Sequence, residues 1–443
     1  MRLTTYEVAP GNALIQNKRF VSIRGRIAKS RHTIRSVMAL VSSNVMSSVL
    51  SAIGGLLVAR FLSPDETGSF RVFTIPLTYL VFLHLGSWDG LWRQIPYYVG
   101  KQMPEKVDAL ASAAGAFNIL VSAVVSCGFI FCAFYDIAHD NLSGFFGWIS
   151  QVAYCWVIFY GGYLTSTYRT LHHFVTLSRV QIVQSILAFS MVFLLPFLRF
   201  YGLCARLALP SILAVWLYHR NRPLKVSYRF NTKVLWELIK LGLPLSFWGN
   251  LYTSVWVATE SALVLALSGV FDLGLFSVAV VMRTALNSLP LAIWQVITPR
   301  VVTAFARDGS VCKVDARIKW VTATLTGFMI ILAFTGSFLL EIFVPHIIPK
   351  YHAGIPVMKV CLWFSVVEAV FLPTNALFAT GKPWLFGRNV IPGMVVFPLA
   401  TYLLLPMFSG LLAVAVGSLL GHTARILAAY VDLIFLSRRE IDV

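Results

Sequence analysis

Twelve stretches of this chain are apolar over close to the roughly 20 residues that a helix needs to cross the hydrocarbon layer of a membrane. They run approximately over 36–59, 72–92, 108–134, 145–166, 178–198, 201–219, 243–267, 273–298, 319–343, 355–378, 388–407 and 411–436. Only 12% of the 443 residues are charged, which excludes an ordinary soluble protein, because about a quarter of such a chain is charged. The sequence therefore predicts an all-α, polytopic membrane protein with about 12 transmembrane helices.

Two of the twelve stretches, the sixth and the first, differ from the others in what they contain or in what precedes them. The sixth contains Arg206 and Pro210, so eleven spans remain if 201–219 does not cross the membrane. The first stretch begins after a basic segment and extends for about two dozen residues, which is too late and too long for a cleaved signal peptide. We therefore expect it to remain as the first span.

The placement of the basic residues predicts the topology. The chain has 36 Lys and Arg against 18 Asp and Glu, a net charge of +18, and a balance of this kind also occurs in proteins that bind nucleic acid. With a cytoplasmic N-terminus, all but eight of the 36 lie in or beside the inner segments. The eight are Arg60, Arg71, Arg199, Arg206, Arg283, Lys350, Lys359 and Arg425. This asymmetry follows the positive-inside rule, so we expect both termini in the cytoplasm and no nucleic-acid partner.

The loops on the outer side are short, and any function must therefore be performed by the helix bundle itself. We divide the chain into five parts. They are a basic cytoplasmic segment (1–35), an N-terminal six-helix lobe (36–219), a cytoplasmic linker (220–242), a C-terminal six-helix lobe (243–436) and a cytoplasmic tail (437–443).

A short motif recurs in the two lobes. The pattern D-x-x-G-x-F-x-V at 65–72 follows the first span, and D-x-G-x-F-x-V at 272–278 follows the seventh. Six spans separate the copies, and an even number of spans keeps them in the same orientation. Parallel repeats of this kind occur in transporters whose two halves are related by an axis along the membrane normal. The repeat predicts two pseudo-symmetric six-helix lobes.

Charged residues inside the spans are costly, so each needs a partner, a wet cavity or a function. Glu260 and Arg283 lie about seven and ten residues from the loop that joins their spans, hence at similar depth. They are expected either to form a structural ion pair or to leave Arg283 free to bind an anion. In the second case Asn287, one turn further on the same face, would line the cavity with Arg283.

A second group of charges lies in the C-terminal lobe. Arg425 shares a helical face with His422, and Glu368 lies at comparable depth on the tenth stretch. This group indicates either a substrate-binding surface or a structural bridge between Arg425 and Glu368. Asp89 lies nearer the cytoplasmic edge of the second stretch and is grouped with Glu260 and Glu368 as a coupling or pairing carboxylate.

Uncharged polar residues also occur within the spans. Each is expected to hydrogen-bond between helices, as such side chains commonly do in membranes. They are Asn44, His84, Asn118, Gln181, Gln184, Asn250 and Asn375.

The sequence offers little for catalysis. The six cysteines form no C-x-x-C pair or metal spacing, and no G-x-x-x-x-G-K-S/T nucleotide loop occurs. A membrane glycosyltransferase could use Asp65 and Glu66 as its acid and base, but such enzymes usually carry a large outer loop. We interpret the pair as a solvated turn, and predict that the protein is not an enzyme and needs no cofactor.

Three segments resemble the Wzx-like O-antigen and exopolysaccharide flippases, of the multidrug/oligosaccharidyl-lipid/polysaccharide exporter superfamily. They are LVARFLSPDETGSF at 57–70, GLPL at 242–245 and 272–280. The resemblance covers essentially the whole chain. It implies alternating access between two six-helix lobes, and translocation of undecaprenyl-diphosphate-linked oligosaccharide across the bacterial inner membrane. It also implies contact with membrane lipids and, as partners, a polysaccharide polymerase and a chain-length regulator.

The resemblance also bears on the site residues. Related flippases are thought to use arginines on spans one, two and eight, and Arg283 matches on span eight. On spans one and two, Arg60 and Arg71 stand at the outer ends instead. A multidrug exporter of the same superfamily is the alternative. Cationic drugs would favour an acidic cavity, whereas here the intramembrane carboxylates are matched by arginines.

Overall fold

A computed structural model describes residues 42–308, 311–371, 374 and 383–441. The predicted basic segment 1–35 and Asn375 lie outside these residues. Helices dominate the described chain. They are α1 Ser42–Phe61, α2 Pro64–Leu80, α3 Ser87–Gly100, α4 Pro104–Ala138, α5 Leu142–Trp156, α6 Gly162–Thr170, α7 Phe174–Ser190, α8 Leu195–Arg220, α9 Thr232–Asn250, α10 Trp256–Asp308, α11 Val311–Ile347, α12 Ile355–Val370, α13 Pro383–Leu404 and α14 Gly410–Ile441.

Eight continuous helical segments in the described residues are long and apolar enough to cross a membrane, and a ninth is the bent pair Pro64–His84 and Ser87–Gly100. Two of the eight, Phe174–Arg220 and Thr232–Leu291, are longer than one crossing requires. Each of these contains a reversal of the chain. Each reversal divides its segment in two, so these nine segments correspond to eleven of the twelve predicted spans, and α13 lies at the position of the remaining one, 388–407.

The first reversal occurs at Arg199, whose φ is 49°. Arg206 Nε donates to the carbonyl oxygen of Ala188 over 3.0 Å, although a straight helix would separate these residues by about 27 Å. The chain therefore turns back at Arg199. Residues 200–220 form a helix of their own, at the position of the predicted stretch 201–219.

The second reversal occurs at Gly269, whose φ is 84°, a value that glycine adopts without the penalty of a Cβ atom. Arg283 and Glu260 lie 23 residues apart in sequence and are hydrogen-bonded, so the two parts of α10 run antiparallel. The bundle thus has two sides. We call the side that carries residues 221–231 the linker side and the opposite side the far side.

The start of α2 is fixed by its own sequence. Ser63 and Glu66 form a capping box, in which each side chain bonds the backbone N–H of the other residue. Glu66 also accepts two hydrogen bonds from Arg199, at 2.8 and 3.0 Å. This carboxylate therefore holds two far-side turns together, which agrees with a structural role for the Asp65–Glu66 turn.

Helices α2 and α3 form much of the contact between the two halves. On the far side, a Cβ atom on Gly274 would overlap the carbonyl oxygen of Pro64, and one on Gly68 would overlap that of Val270. On the linker side, Gly86 and Gly242 are in equally close backbone contact. The two copies of the repeated motif therefore meet at the far side, since Gly68 and Gly274 are their glycines.

Buried polar bonds reinforce the linker-side contact. His84 is fully buried, and its Nδ1 accepts from the backbone N–H of Gly86 at 2.9 Å. That bond leaves the proton on Nε2, which lies 3.1 Å from the hydroxyl of Ser246 on α9. His84 therefore bonds between helices, as predicted, through the hydroxyl oxygen of Ser246, which also accepts from the Nδ2 of Asn250 over 2.9 Å.

The linker is a docked, extended segment. It occupies 221–231 and is shorter than the predicted 220–242, because α9 already begins at Thr232. The ring of Tyr228 packs on Gly115 of α4, where a Cβ atom would lie 2.5 Å from it. The Tyr228 hydroxyl lies 2.7 Å from that of Tyr160. The linker is thereby held against the N-terminal half.

Candidate functional site

A cavity of about 700 Å³ lies within the N-terminal half. Its walls come from α1, α7 and α8, at positions 44–51, 181–189 and 203–211 respectively. Ser288 and Leu291 of α10 complete it from the C-terminal half. The cavity therefore borders both halves, although most of its surface belongs to one.

The surface of this cavity is rich in amides and hydroxyls. Such side chains can donate to and accept from a polyhydroxylated ligand. They are Asn44, Ser47, Ser48, Ser51, Gln181, Gln184, Ser185, Ser211 and Ser288. Some already bond between helices: the hydroxyl of Ser185 donates to that of Ser47 at 2.8 Å. No Asp or Glu occurs among the described residues that line the cavity.

Arg206 is the one charged residue among the described residues of this lining. The guanidinium is placed where three helices meet: Nε bonds Ala188 of α7, and Nη2 faces Gly54 of α1, where a Cβ atom would lie 3.1 Å away. The hydrogen bonds and ion pairs found for Arg206 within the described chain include no carboxylate. Arg206 therefore presents positive charge to a polar cavity.

The charges of the C-terminal half are arranged differently. Arg283 donates to both carboxylate oxygens of Glu260, each over 2.7 Å. Both side chains are buried, and the guanidinium also lies over the ring of Phe364, 4.6 Å from its centroid. Ser418 adds a third hydrogen bond to Glu260. The predicted pair of Arg283 with Glu260 is formed, and its charges cancel.

Arg425 and Glu368 form the second buried pair. Arg425 Nη2 donates to Glu368 over 3.0 Å and to the hydroxyl of Tyr252 over 3.1 Å. The guanidinium lies between the rings of Tyr252 and Phe371, 3.9 and 4.0 Å from their centroids. The Nδ1 atom of His422 lies 3.5 Å from the same carboxylate. The predicted bridge is formed, and Arg425 is neutralised like Arg283.

The other predicted arginines bond across the two halves. Arg60 is exposed on the far side and donates to the carbonyl oxygen of Ile347, the last residue of α11, over 3.3 Å. A cation at that place suits the C-terminal end of a helix. Arg71 was expected at the outer end of its span, but it is only partly exposed and donates to Ser261 of α10 over 3.4 Å. The expectation was wrong because Arg71 follows the first two turns of α2, which already lie between the halves.

Two further predicted residues lie apart from the cavity. Asp89 is in the first turn of α3, where the helix N-terminus favours a carboxylate. The Oδ1 atom of Asn287 is buried and has no hydrogen-bond partner among the described residues. The structure brings together Glu260 with Arg283 and Glu368 with Arg425 and His422, and it brings none of these residues into the lining of the cavity.

Sequence reasoning did not identify the cavity residues as a site. Asn44, Gln181 and Gln184 were assigned to bonds between helices; Gln181 does accept one from the hydroxyl of Ser43 on α1 over 3.4 Å, and all three also line the cavity. Asn118 does bond between helices, since it donates to Ser87 over 2.9 Å. The signal that could have found the cavity was Arg206, a charge inside an apolar stretch, which served only to weaken the prediction of a span.

Comparison with known proteins gives the class of fold. No protein-family model matches the chain, and no curated protein matches its sequence. Solved structures do match. An inward-facing multidrug-resistance MATE transporter of the MOP superfamily is 14% identical, with 91% of this chain and 98% of that chain covered and a TM-score of 0.67. The fold is therefore that of the MATE transporters.

Two more structures show the range of this fold. An outward-facing MATE transporter is 14% identical, with coverages of 93% and 96% and a TM-score of 0.63. A MOP-superfamily transporter from Pyrococcus furiosus, whose binding pocket has reverse polarity that suggests a different function, is 12% identical. The match covers 93% of this chain and 96% of that chain, with a TM-score of 0.59.

Proposed function

We propose that this chain is an alternating-access transporter that carries undecaprenyl-diphosphate-linked oligosaccharide from the cytoplasmic to the outer leaflet of the bacterial inner membrane. The observation that carries this proposal is the chemistry of the cavity. Its lining combines hydroxyls and amides with one arginine and contains no described carboxylate. Such a surface suits an anionic, hydroxyl-rich cargo, because a glycan needs both donors and acceptors and a phosphate needs donors.

The size and the rim of the cavity agree with this cargo. A volume of about 700 Å³ lies within the usual range for ligand sites. Val45 and Leu291 line the cavity and are also 51% and 53% exposed, so they form an apolar rim where the cavity meets the surroundings of the bundle. The glycan would occupy the cavity, and the polyprenyl tail would stay outside it in lipid.

The contact between the halves supports alternating access. Gly68 and Gly274 bring α2 and α10 together on the far side. The linker side is the cytoplasmic side by the placement of basic residues. In this arrangement the cargo would enter from the cytoplasmic leaflet and leave after the far-side contact opens. A polysaccharide polymerase and a chain-length regulator would act on the cargo after it has crossed.

A multidrug exporter is the second candidate, and the MATE-like fold favours it. Cationic drugs would need uncompensated carboxylates. Glu260 and Glu368 are each paired with an arginine, and neither lines the cavity. The comparison of folds thus favours the exporter, whereas the lining of the cavity favours the anionic cargo.

The test uses the full-length protein in liposomes. A fluorescent undecaprenyl-diphosphate oligosaccharide is placed in one leaflet, and its arrival in the other is followed with an impermeant quencher; ethidium serves as the cationic cargo. We expect movement of the lipid and none of ethidium. Ser51→Trp should block movement by filling the cavity, whereas Thr335→Trp, at an exposed position on α11, should not. Transport of ethidium without movement of the lipid would refute the proposal in favour of the exporter.

A further inference from the structure

Arg206 differs from Arg283 and Arg425 in its lack of a carboxylate partner. Arg283 bonds Glu260 and Arg425 bonds Glu368, whereas Arg206 has no ion pair within the described chain. Its one hydrogen bond there uses Nε, and a guanidinium carries five N–H donors. The four donors on the two Nη atoms therefore remain available to a ligand.

The surroundings of Arg206 hold this group in place. Arg206 follows Arg199, the turning point of the chain, by seven residues, so it lies about 10 Å inward from the far-side turn. Its Nε is fixed to α7 by the carbonyl oxygen of Ala188. The absence of a side chain at Gly54 leaves room for Nη2 beside α1. A cation at this depth within the bundle is costly, and one that is held in place without a carboxylate partner indicates that an anion completes the site.

We propose that Arg206 is the residue that binds the phosphate groups of the transported lipid, an inference that rests on the proposed function. The planar fork of donors matches two phosphate oxygens. Gln181 and Gln184 of α7 line the same cavity and supply further amide donors, while the hydroxyl-bearing wall of α1 faces the sugars. The ligand chemistry is a diphosphate ester, and the site requires neither metal nor covalent bond formation.

Binding to purified full-length protein tests this inference. Undecaprenyl diphosphate, undecaprenol and inorganic pyrophosphate are the probes, and native mass spectrometry measures their binding to wild type, Arg206→Gln and Arg206→Lys. Arg179→Gln is the matched control, because Arg179 is exposed on α7 and does not line the cavity.

We expect Arg206→Gln to weaken the binding of undecaprenyl diphosphate by about tenfold or more, since one charge-assisted contact is lost. Binding of undecaprenol should stay the same, and Arg179→Gln should behave as wild type. The affinity of Arg206→Lys for undecaprenyl diphosphate should lie between those of wild type and Arg206→Gln, because lysine keeps the charge but lacks the planar fork of donors. If Arg206→Gln does not fold, the comparison of Arg206→Lys with wild type decides, and equal binding of the diphosphate by these two refutes the recognition by a planar fork.

Two more outcomes separate the possible failures. Pyrophosphate that binds as tightly as the lipid would assign the site to a soluble phosphate and overturn the lipid-borne source. In the liposome assay, equal lipid movement by wild type and Arg206→Gln would refute the role of Arg206 while the proposed function stands. No lipid movement by wild type would instead refute the proposed function.

Discussion

Gly68 and Gly274 occupy equivalent places in the two copies of the repeated motif, and in the folded chain they meet. A Cβ atom on Gly274 would overlap the carbonyl oxygen of Pro64, and one on Gly68 would lie 3.0 Å from the backbone nitrogen of Gly274. The hydroxyl of Thr67 adds a buried contact of 3.0 Å to that of Tyr351. The repeat in the sequence is therefore also a contact in the structure, and it joins the halves on the far side.

The first prediction concerns Gly274→Val. The new side chain would collide with backbone, which cannot move aside as a flexible side chain can, so α2 and α10 should separate on the far side. A cysteine placed in the cavity by Ser51→Cys, in a background without the native cysteines, reports this. We expect an impermeant thiol reagent added on the far side to label this cysteine about tenfold faster in the Gly274→Val protein than in the same protein with Gly274 intact. Overpacking of this kind costs about 1–3 kcal/mol.

The control for this prediction is Gly327→Val on α11. A Cβ atom at Gly327 would meet nothing within 4 Å, so the substitution adds the same side chain without a collision. Equal labelling rates in the two variants would contradict a far-side contact that depends on Gly274.

The second prediction concerns the buried pair of Arg283 and Glu260. Removal of one partner leaves an uncompensated buried charge, so Glu260→Gln and Arg283→Met should each destabilise the protein by about 3 kcal/mol or more. The double variant should recover much of this loss, because it contains no unpaired charge. Thermal unfolding in detergent measures the three variants against wild type.

The same variants separate a structural role of Arg283 from substrate binding. If the pair is only structural, the double variant should regain lipid movement together with stability. If Arg283 also contacts the cargo, the double variant should be stable and inactive. Single variants as stable as wild type would contradict a structural pair altogether.

The sequence predicted the helices well and the cavity poorly, and the reason is physical. Hydropathy over some 20 residues identifies a span without knowledge of its neighbours. The depth of Glu260 and Arg283 along their spans likewise sufficed to predict that they could pair. The depth of a residue within its span depends on sequence position alone. The prediction of the helices and the prediction that Glu260 pairs with Arg283 are both confirmed.

The cavity depends on which helices lie side by side, and a single sequence does not encode that in a readable pattern. Asn44, Gln181 and Arg206 belong to three helices, and the sequence of each helix alone does not show which of the others it will face. Their common surface arises only when α1, α7 and α8 pack together. The turn at Arg199, by contrast, was predicted, because the stretches 178–198 and 201–219 leave only two residues between them and the structure breaks the helix there.

The third prediction concerns the docked linker. Gly115→Val should displace the ring of Tyr228, since a Cβ atom at Gly115 would lie 2.5 Å from that ring. With the ring displaced, the segment 221–231 should become a substrate for proteases. We expect faster cleavage there by trypsin, followed by mass spectrometry of the fragments.

Gly128→Val is the matched control for the linker, because Gly128 lies on the same helix and a Cβ atom there would meet nothing within 4 Å. Cleavage of the linker at the same rate in Gly115→Val and Gly128→Val would show that Tyr228 does not hold it in place.

The fourth prediction concerns Gly54 on α1, which leaves room for the Arg206 guanidinium. A Cβ atom there would lie 3.1 Å from Nη2, and 3.7 Å from both Phe189 and Val192. Since the two apolar neighbours leave a valine side chain little space, Gly54→Val should push the guanidinium from its position. Binding of undecaprenyl diphosphate should then weaken by about tenfold, as for loss of a charged hydrogen bond, and binding of undecaprenol should not change.

This prediction tests position, whereas replacement of Arg206 tests charge. Gly54→Val keeps the cation, so an anion site that needed only the positive charge would still bind the diphosphate lipid. Gly249→Val on α9 is the control, because a Cβ atom there would meet nothing within 4 Å. If Gly54→Val binds the diphosphate lipid as wild type does while Arg206→Gln does not, the site needs the charge of Arg206 but not the place in which α1 and α7 hold it.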